Sequence, residues 1–351
     1  MTSQQNGPSQ SAFQPEGLTV ARIQAAAARL DGVAHRTPLL TSATLDERCG
    51  GSVALKAENF QRVGAFKFRG AYNRLSLLSD AERARGVVAY SSGNHGAAVA
   101  LAARLLGIRA VVVVPATGAP AKLAAIAGYG AQVHRYDPAR EQREEVAAAI
   151  AAEQSLTMIR PFDDFDVMAG QGTVGLELVQ QAGPEGVDQV LVPVGGGGLA
   201  AGVSTAVRAL APDASVIGVE PAGADDTARS LRAGHRVTLD QPVTIADGLL
   251  AQQPGELTFA VNSRLLADVV TVPEDAIVEA MRFCFERMKI VIEPSGAVSL
   301  AALLAGVVPA AGRRTVVVIS GGNIDPATFA RQLAAHPPAV GQPAAQQAAP
   351  A

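Results

Sequence analysis

Lys67 is the residue in this sequence whose surroundings most clearly favour covalent chemistry. The chain contains only four lysines, and this one lies in the segment 58–71, between two phenylalanines and directly before an Arg-Gly pair. Apolar surroundings disfavour the charged ammonium form of a lysine and therefore favour the free amine. A free amine can form a Schiff base with an aldehyde. The alternative is a surface lysine on the first turn of an amphipathic helix, and Lys67 alone does not decide between the two.

A second chemical feature is a run of four glycines in the segment 190–203, between an apolar strand and a helix. Backbone N–H groups in such a loop bind phosphate well. One interpretation is a dinucleotide site, with Gly196, Gly198 and Gly202 at the phosphates and Glu220 at the ribose. Another is a cup for one small phosphate, such as that of pyridoxal phosphate (PLP). A plain flexible turn is a weaker interpretation, because polyglycine at the start of a helix costs stability.

The segment 90–107 places five small polar or ring residues at a strand-to-helix turn: Ser91, Ser92, Gly93, Asn94 and His95. Hydroxyl, amide and backbone N–H groups that meet in this way can hold a carboxylate or a ring hydroxyl. A simple helix cap is the alternative, but a cap needs only one such residue.

Two further turns could contact a ligand. Ser320 ends the apolar run 315–320, and a short hydroxyl at the carboxyl end of a strand lies where α/β sheets bind ligands. The segment 246–250 reads ADGLL, a turn whose backbone could pack against a flat ligand. An ordinary Asp-Gly turn is the alternative for this second segment.

Three acids lie close together in the segment 220–226. Glu220, Asp225 and Asp226 offer the oxygen ligands that a hard cation prefers. Acids that favour a helix N-terminus are the alternative explanation.

The elements that would position these residues follow an alternating strand–helix pattern, which is typical of parallel α/β sheets. Short β-branched runs predict strands at 53–58, 87–91, 110–115, 132–136, 188–194, 215–220 and 315–320. Helices are predicted at 94–107, 119–130, 139–153 and 273–288.

Composition excludes several classes of protein. The 351 residues carry a net charge of −3 and only 4% aromatic residues with no tryptophan, which argues against a nucleic-acid-binding surface. We find no apolar run of about 20 residues that could span a membrane. The N-terminal segment shows neither the basic nor the apolar part of a secretory signal. We therefore expect a soluble, cytoplasmic protein with no nucleic-acid or membrane partner.

Taken together and in order, the motifs resemble the fold type II PLP-dependent enzymes, and most of all the serine/threonine dehydratase and serine racemase group. The motifs are FKFRGA, SSGNHGAA, VGGGGLAAG, GVEPAGADD, ADGL, IEPSGAVSLAAL and SGGN, within residues 17–335. The resemblance implies a tryptophan synthase β-like α/β fold of two parallel-type domains with the cofactor between them. We expect a large domain at 16–85 and 161–336, a small inserted domain at 86–160, and disordered tails at 1–15 and 337–351.

The resemblance also implies a role for each motif residue. Lys67 would form the Schiff base with PLP and remove the Cα proton of the substrate, and Ser92 could act as a second acid–base group, as racemisation requires. The remaining cofactor contacts would come from Phe66, Asn94, Gly195, Gly196, Gly197, Gly198, Gly248, Glu293 and Ser320. Ser91, Ser92, Asn94 and His95 would bind the substrate carboxylate.

The implied activity is a β-elimination that converts a hydroxy amino acid, L-threonine or L-serine, into a 2-oxo acid and ammonia. Serine racemase and 3-hydroxyaspartate dehydratase are alternatives, and an NAD(P)-binding oxidoreductase is a distant one. Arg143 is a candidate contact for a second substrate carboxylate, with a solvated helix charge as the alternative. By resemblance, Glu220, Ala224 and Asp226 would hold Mg²⁺ or a similar cation, and the enzyme would be a homodimer.

Overall fold

The computed structural model describes residues 17–118 and 120–337, without the side chains of residues 120–122. The tail predicted at 1–15 and nearly all of the tail predicted at 337–351 lie outside the described residues. Within them, two β-sheets are covered by helices on both faces.

Ten strands are present in the described chain. They are β1 Leu39–Thr41, β2 Ser52–Ala57, β3 Val87–Tyr90, β4 Ala110–Pro115, β5 Gln132–Tyr136, β6 Thr157–Met158, β7 Gln189–Pro193, β8 Ser215–Pro221, β9 Asp268–Val272 and β10 Arg314–Ile319. The larger sheet has the order β1-β2-β10-β7-β8-β9, and every pair in it is parallel except β1 with β2. The smaller sheet has the order β5-β4-β3-β6 and is parallel throughout.

The α-helices follow the strands along most of the chain. They are α1 Val20–Leu30, α2 Ala43–Cys49, α3 Lys67–Ser76, α4 Asp80–Arg85, α5 Asn94–Leu106, α6 Pro120–Gly128, α7 Arg143–Gln154, α8 Phe165–Ala182, α9 Gly198–Leu210, α10 Asp226–Ala233, α11 Glu256–Leu265, α12 Glu274–Phe283, α13 Pro294–Leu304 and α14 Pro326–Ala335.

Alternating side chains of the strands supply the hydrophobic cores. In the larger sheet, Leu191 and Val317 belong to one buried cluster, whereas their chain neighbours Val190 and Val316 belong to the cluster on the opposite face. Because both faces are covered, the strands are nearly continuous apolar runs. The seven predicted strands are confirmed to within one residue at either end.

The smaller sheet lies entirely within residues 86–160, the range predicted for an inserted domain. The larger sheet is built from strands on both sides of that range. We propose the predicted domain boundaries on this basis.

A buried ion-pair network fixes the helix that begins at Lys67. Arg69 of α3 donates to both oxygens of Glu58 at 2.8 Å and to Glu177 of α8 at 2.6 Å. Lys56 of β2 donates to the second oxygen of Glu177 at 2.6 Å. Buried charges are stable only when they are paired in this way. The network therefore locks α3 to the larger sheet and to α8.

Candidate active site

One large cavity, of about 880 Å³, collects the residues that the sequence singled out. It is lined by turns that follow β3 and β7, by the residue after β10 and by the first residue of α3. All the predicted cofactor- and substrate-binding residues line it: Phe66, Lys67, Ser91, Ser92, Asn94, His95, Gly195, Gly196, Gly197, Gly198, Gly248, Glu293 and Ser320. β7 and β10 are parallel neighbours, so the glycine turn and Ser320 emerge at the same edge of the larger sheet.

Lys67 lines this cavity, and its amine is buried. Its Nζ donates to the carbonyl oxygen of Pro161 at 2.7 Å and lies 5.2 Å from the centre of the Phe66 ring. Burial lowers the pKa of the Lys67 amine from 10.5 to about 8. More of the amine is therefore uncharged near neutral pH than in an exposed lysine, and the free amine can attack an aldehyde.

The glycine turn presents donors to the cavity. Among the described residues, none accepts a hydrogen bond from the N–H groups of residues 195–198, although these residues are largely buried. Gly197 has φ = 87°, a conformation that glycine adopts readily, and a Cβ on Gly196 would lie 2.3 Å from the Phe162 ring. Four N–H groups at the start of α9 fit a phosphate group.

The turn after β3 contributes a network of side-chain amides. Asn94 donates from Nδ2 to Oε1 of Glu293 at 2.7 Å, and its Oδ1 accepts from Asn323 at 2.8 Å. Ser91 accepts from the N–H of Gly93 at 3.2 Å, so its hydroxyl shapes the turn. The Asn94 amide is thus held at the cavity wall.

His95 lies at the cavity with its ring buried. Its Nε2 donates to the carbonyl oxygen of Ile159 at 3.0 Å, and the imidazole is buried. Burial, and then the charge of Lys67, lowers the pKa of His95 to about 3, so the ring is neutral. Nδ1 of the ring has no hydrogen-bond partner among the described residues, and His95 lines the cavity.

Ser320 and the 246–250 turn meet through Ser295. The Ser320 hydroxyl donates to the carbonyl oxygen of Ser295 at 3.4 Å, and the N–H of Gly248 donates to Oγ of Ser295 at 2.9 Å. The hydroxyl of Ser320 therefore keeps its acceptor capacity, and it could donate to a ligand nitrogen only by turning its single O–H away from Ser295.

Four residues that contact these groups were not singled out from the sequence: Pro161, Phe162, Thr258 and Asn262. Pro161 acts through its carbonyl, which any residue carries, so no side-chain signal marks it. The other three become significant only through contacts with the glycine turn that depend on the fold.

The acidic segment separates into two environments. Asp225 pairs with Arg229 at 2.8 Å, whereas Glu220 and Asp226 are fully buried. Glu220 accepts from the N–H groups of Thr227 and Ala228, at 3.0 and 2.8 Å. The two buried acids, Glu220 and Asp226, are the ones predicted to hold a cation together with the Ala224 carbonyl.

The buried pair Glu220 and Asp226 fits a cation. Neither oxygen of Asp226 has a hydrogen-bond partner among the described residues. Burial, and then the charge of Asp226, raises the pKa of Glu220 to about 8, and burial raises the pKa of Asp226 to about 7. Two carboxylates and the Ala224 carbonyl are oxygen donors of the type that Mg²⁺ prefers. Within the described chain, no group of three or more acidic, histidine or cysteine side chains is arranged around a metal position.

The dinucleotide interpretation of the glycine run is wrong. Glu220, its proposed ribose ligand, is buried and bonded to the start of α10. Gly202 lies where α8 and α9 cross, since a Cβ there would be 2.4 Å from the carbonyl oxygen of Met168. Gly202 therefore serves the packing of two helices, and Glu220 is engaged at the start of α10.

None of the described helices combines the length and the apolar character needed to cross a membrane.

Several known proteins are similar to this chain in both sequence and fold. A family model described as "Pyridoxal-phosphate dependent enzyme" matches residues 30–321. The chain is 46% identical over 308 residues to an L-threo-3-hydroxyaspartate ammonia-lyase of Pseudomonas sp, covering 88% of this chain and 96% of the relative. It is 42% identical to an L-threonine ammonia-lyase of Thermotoga maritima, covering 88% of this chain and 76% of the relative. The solved structure of maize serine racemase superposes with a TM-score of 0.86 at 40% identity, over 91% of this chain and 98% of that one.

Proposed function

The chain belongs to the pyridoxal-phosphate-dependent enzymes, with the fold type II architecture, and we propose that it is an ammonia-lyase for a 3-hydroxy amino acid. L-threonine and L-serine are the proposed substrates, and a 2-oxo acid and ammonia are the products. One observation carries the proposal: the Lys67 amine, the unpartnered N–H groups of residues 195–198 and the Ser91–Asn94 turn all face one cavity.

The residues fit the cofactor at both of its ends. The N–H groups of residues 195–198 would hold the phosphate, and the Lys67 amine would attach the aldehyde carbon. Phe66 would pack beside the ring, with the Gly248 backbone and Glu293 close by. Asn94 would bond the ring hydroxyl. Ser320 offers a neutral hydroxyl to the ring nitrogen, and a neutral partner does not stabilise a protonated nitrogen as an acid would.

When bound, PLP supplies the electron sink that makes the Cα proton of an amino acid acidic. The amine of Lys67 takes that proton, because its lowered pKa leaves it free to act as a base near neutral pH. The hydroxyls of Ser91 and Ser92 and the N–H groups at the start of α5 bind and orient the substrate carboxylate. The neutral ring of His95 holds the segment at Ile159 in place.

The substrate is tested by measuring 2-oxo acid release by the PLP-loaded enzyme from L-threonine, L-serine, D-serine and the 3-hydroxyaspartates. We expect turnover of L-threonine or L-serine and a yellow purified protein. If none of these amino acids yields a 2-oxo acid, the proposed activity is wrong.

A second candidate substrate is L-threo-3-hydroxyaspartate, on which the Pseudomonas relative acts by name. Arg143 lines the cavity, with its guanidinium 5.9 Å from the centre of the Tyr90 ring and its Nε bonded to Glu144 at 2.8 Å. The second carboxylate of this substrate could displace Glu144 from the Arg143 guanidinium. Arg143→Leu would then lower kcat/KM for 3-hydroxyaspartate much more than for L-threonine. Equal losses would remove the argument for this substrate.

Racemisation is a second candidate activity. It requires a proton donor in addition to Lys67, and the hydroxyl of Ser92 lines the same cavity. Ser92→Ala should reduce the conversion of L-serine into D-serine, followed by chiral chromatography, more than it reduces 2-oxo acid release. If both rates stay unchanged, Ser92 is not the second base.

We also propose a cytoplasmic homodimer. Phe285 and Val291 are 46% and 45% exposed and lie beside one small groove, which supports self-association. Light scattering of the purified enzyme measures the state directly.

A further inference from the structure

We propose that Thr258 and Asn262 of α11 are positioning residues for the cofactor phosphate, an inference that rests on the proposed PLP site. Both side chains are buried, with 0% and 1% of their surface exposed, and neither is among the residues that line the cavity. They lie on the far side of the glycine turn and act through its backbone.

Each side chain holds one carbonyl group of the turn. Thr258 donates from Oγ1 to the carbonyl oxygen of Gly196 at 2.7 Å. Asn262 donates from Nδ2 to the carbonyl oxygen of Gly197 at 3.1 Å. These two carbonyl groups therefore point toward α11.

The direction of the carbonyl groups sets the direction of the N–H groups. In a planar trans peptide, the N–H of the following residue points opposite to the carbonyl. The N–H groups of Gly197 and Gly198 consequently point away from α11, and in the described chain they have no protein acceptor. Two of the four phosphate donors are oriented by side chains that never contact the phosphate.

The turn is also pressed against α11. A Cβ on Gly197 would lie 2.6 Å from Nδ2 of Asn262 and 3.1 Å from Cβ of Thr258. No side chain fits at Gly197 on the side of α11, and the turn cannot move away from α11 without breaking both hydrogen bonds. This arrangement fixes the donors before the ligand arrives, which is the condition for strong binding of an anion.

α11 is in turn tied to the segment that holds Lys67. Oδ1 of Asp163 accepts from the N–H groups of Leu257 and Thr258, at 2.9 and 3.2 Å. Asp163 lies two residues after Pro161, whose carbonyl accepts from the Lys67 amine. The helix that holds the phosphate donors and the amine of Lys67 are thus both bonded to the short segment 161–163. The protein alone therefore fixes the distance between the phosphate donors and the amine.

The test compares two ligands that differ only in the phosphate. Dissociation constants for PLP and for pyridoxal are measured by absorbance with the full-length, cofactor-free enzyme and its Thr258→Val and Asn262→Leu variants. We expect each variant to bind PLP about tenfold more weakly, the effect of one lost hydrogen bond on a preorganised site, and to bind pyridoxal within twofold of the wild type.

Two further variants separate positioning from a general loss of structure. Thr258→Ser keeps the hydroxyl and should restore most of the PLP affinity. Ser263→Ala changes an exposed residue of the same helix and serves as the matched control. The unfolding temperature of each cofactor-free variant shows whether it folds. If Thr258→Val does not fold, Asn262→Leu tests the same inference.

The outcomes are distinguishable. Loss of PLP affinity with unchanged pyridoxal affinity supports the positioning role. Equal losses for the two ligands, or no loss for either, overturn it. A wild-type enzyme that binds PLP no better than pyridoxal would instead contradict the phosphate site itself, and with it the proposed function.

Discussion

The amine of Lys67 donates a 2.7 Å hydrogen bond to the carbonyl oxygen of Pro161. This contact joins the first residue of α3 to the segment that connects the smaller sheet to α8. Because a carbonyl can only accept, it holds the amine in either protonation state without supplying a counter-charge. The carbonyl therefore does not offset the effect of burial, which lowers the pKa of the amine. The lysine is both oriented and reactive.

The first prediction concerns the attachment of the cofactor. Borohydride reduction of the PLP-loaded enzyme should fix the cofactor onto Lys67, and peptide mass spectrometry should find the label there. Lys67→Arg should carry no label and lose essentially all turnover, because a guanidinium neither forms the Schiff base nor releases a proton near neutral pH. Lys289→Arg, at an exposed lysine, is the matched control and should be labelled as the wild type is. A label on Lys289 in the wild type would contradict the assignment.

The second prediction concerns pH. The rate at which PLP attaches to the cofactor-free enzyme, followed by stopped-flow absorbance, should rise with a midpoint near pH 8, because the pKa of Lys67 is lowered to about 8. The folded state then binds fewer protons at this site than the unfolded state between pH 8 and 10.5, so the contribution of Lys67 to stability should increase with pH in that window. A midpoint near 10.5 would show that burial does not perturb the amine.

The sequence predicted the parts of the fold whose signals are local. Seven strands were predicted from short runs rich in β-branched residues, and all seven are present. β1 and β6 have only three and two residues, which is too short for periodicity to show, and the mixed run Asp268–Val272 of β9 has an acid at its start. The helix predicted at 273–288 changes character at Cys284, where one π-helical turn leads to Lys289 with φ = 60°.

The candidate site likewise contains residues with a local sequence signal and residues without one. Motif residues such as Lys67 and the glycines 195–198 have distinctive types, and the fold brings them to one cavity. The ring of His95 bonds through Nε2 to the carbonyl oxygen of Ile159, 64 positions away in sequence. Thr258 is 62 positions from the glycine whose carbonyl it holds. Contacts over such separations are set by tertiary packing, for which a single sequence provides no local signal.

The third prediction concerns the glycine turn. Gly196→Ala would place a methyl group 2.3 Å from the Phe162 ring, so the turn and the ring must move apart. We expect PLP affinity to fall by at least about tenfold, since misplaced donors no longer converge on the phosphate. Adding Phe162→Leu should recover part of the loss. Gly128→Ala, in a helix with open space around it, is the control and should have no effect. Additive losses in the double variant would argue against the contact.

The fourth prediction concerns Glu220 and Asp226. Both carboxylates are buried and Asp226 has no described partner, so a bound divalent cation would stabilise the folded state. Chelation with EDTA should therefore lower the unfolding temperature of the wild type, by about 1–2 °C for each kcal/mol that the cation contributes, and added Mg²⁺ should restore it. Asp226→Asn removes a ligand charge and should abolish the response to both reagents. Asp225→Asn makes the same change at the neighbouring acid, which pairs with Arg229, and should leave the response intact. An EDTA response that persists in Asp226→Asn would place the cation elsewhere.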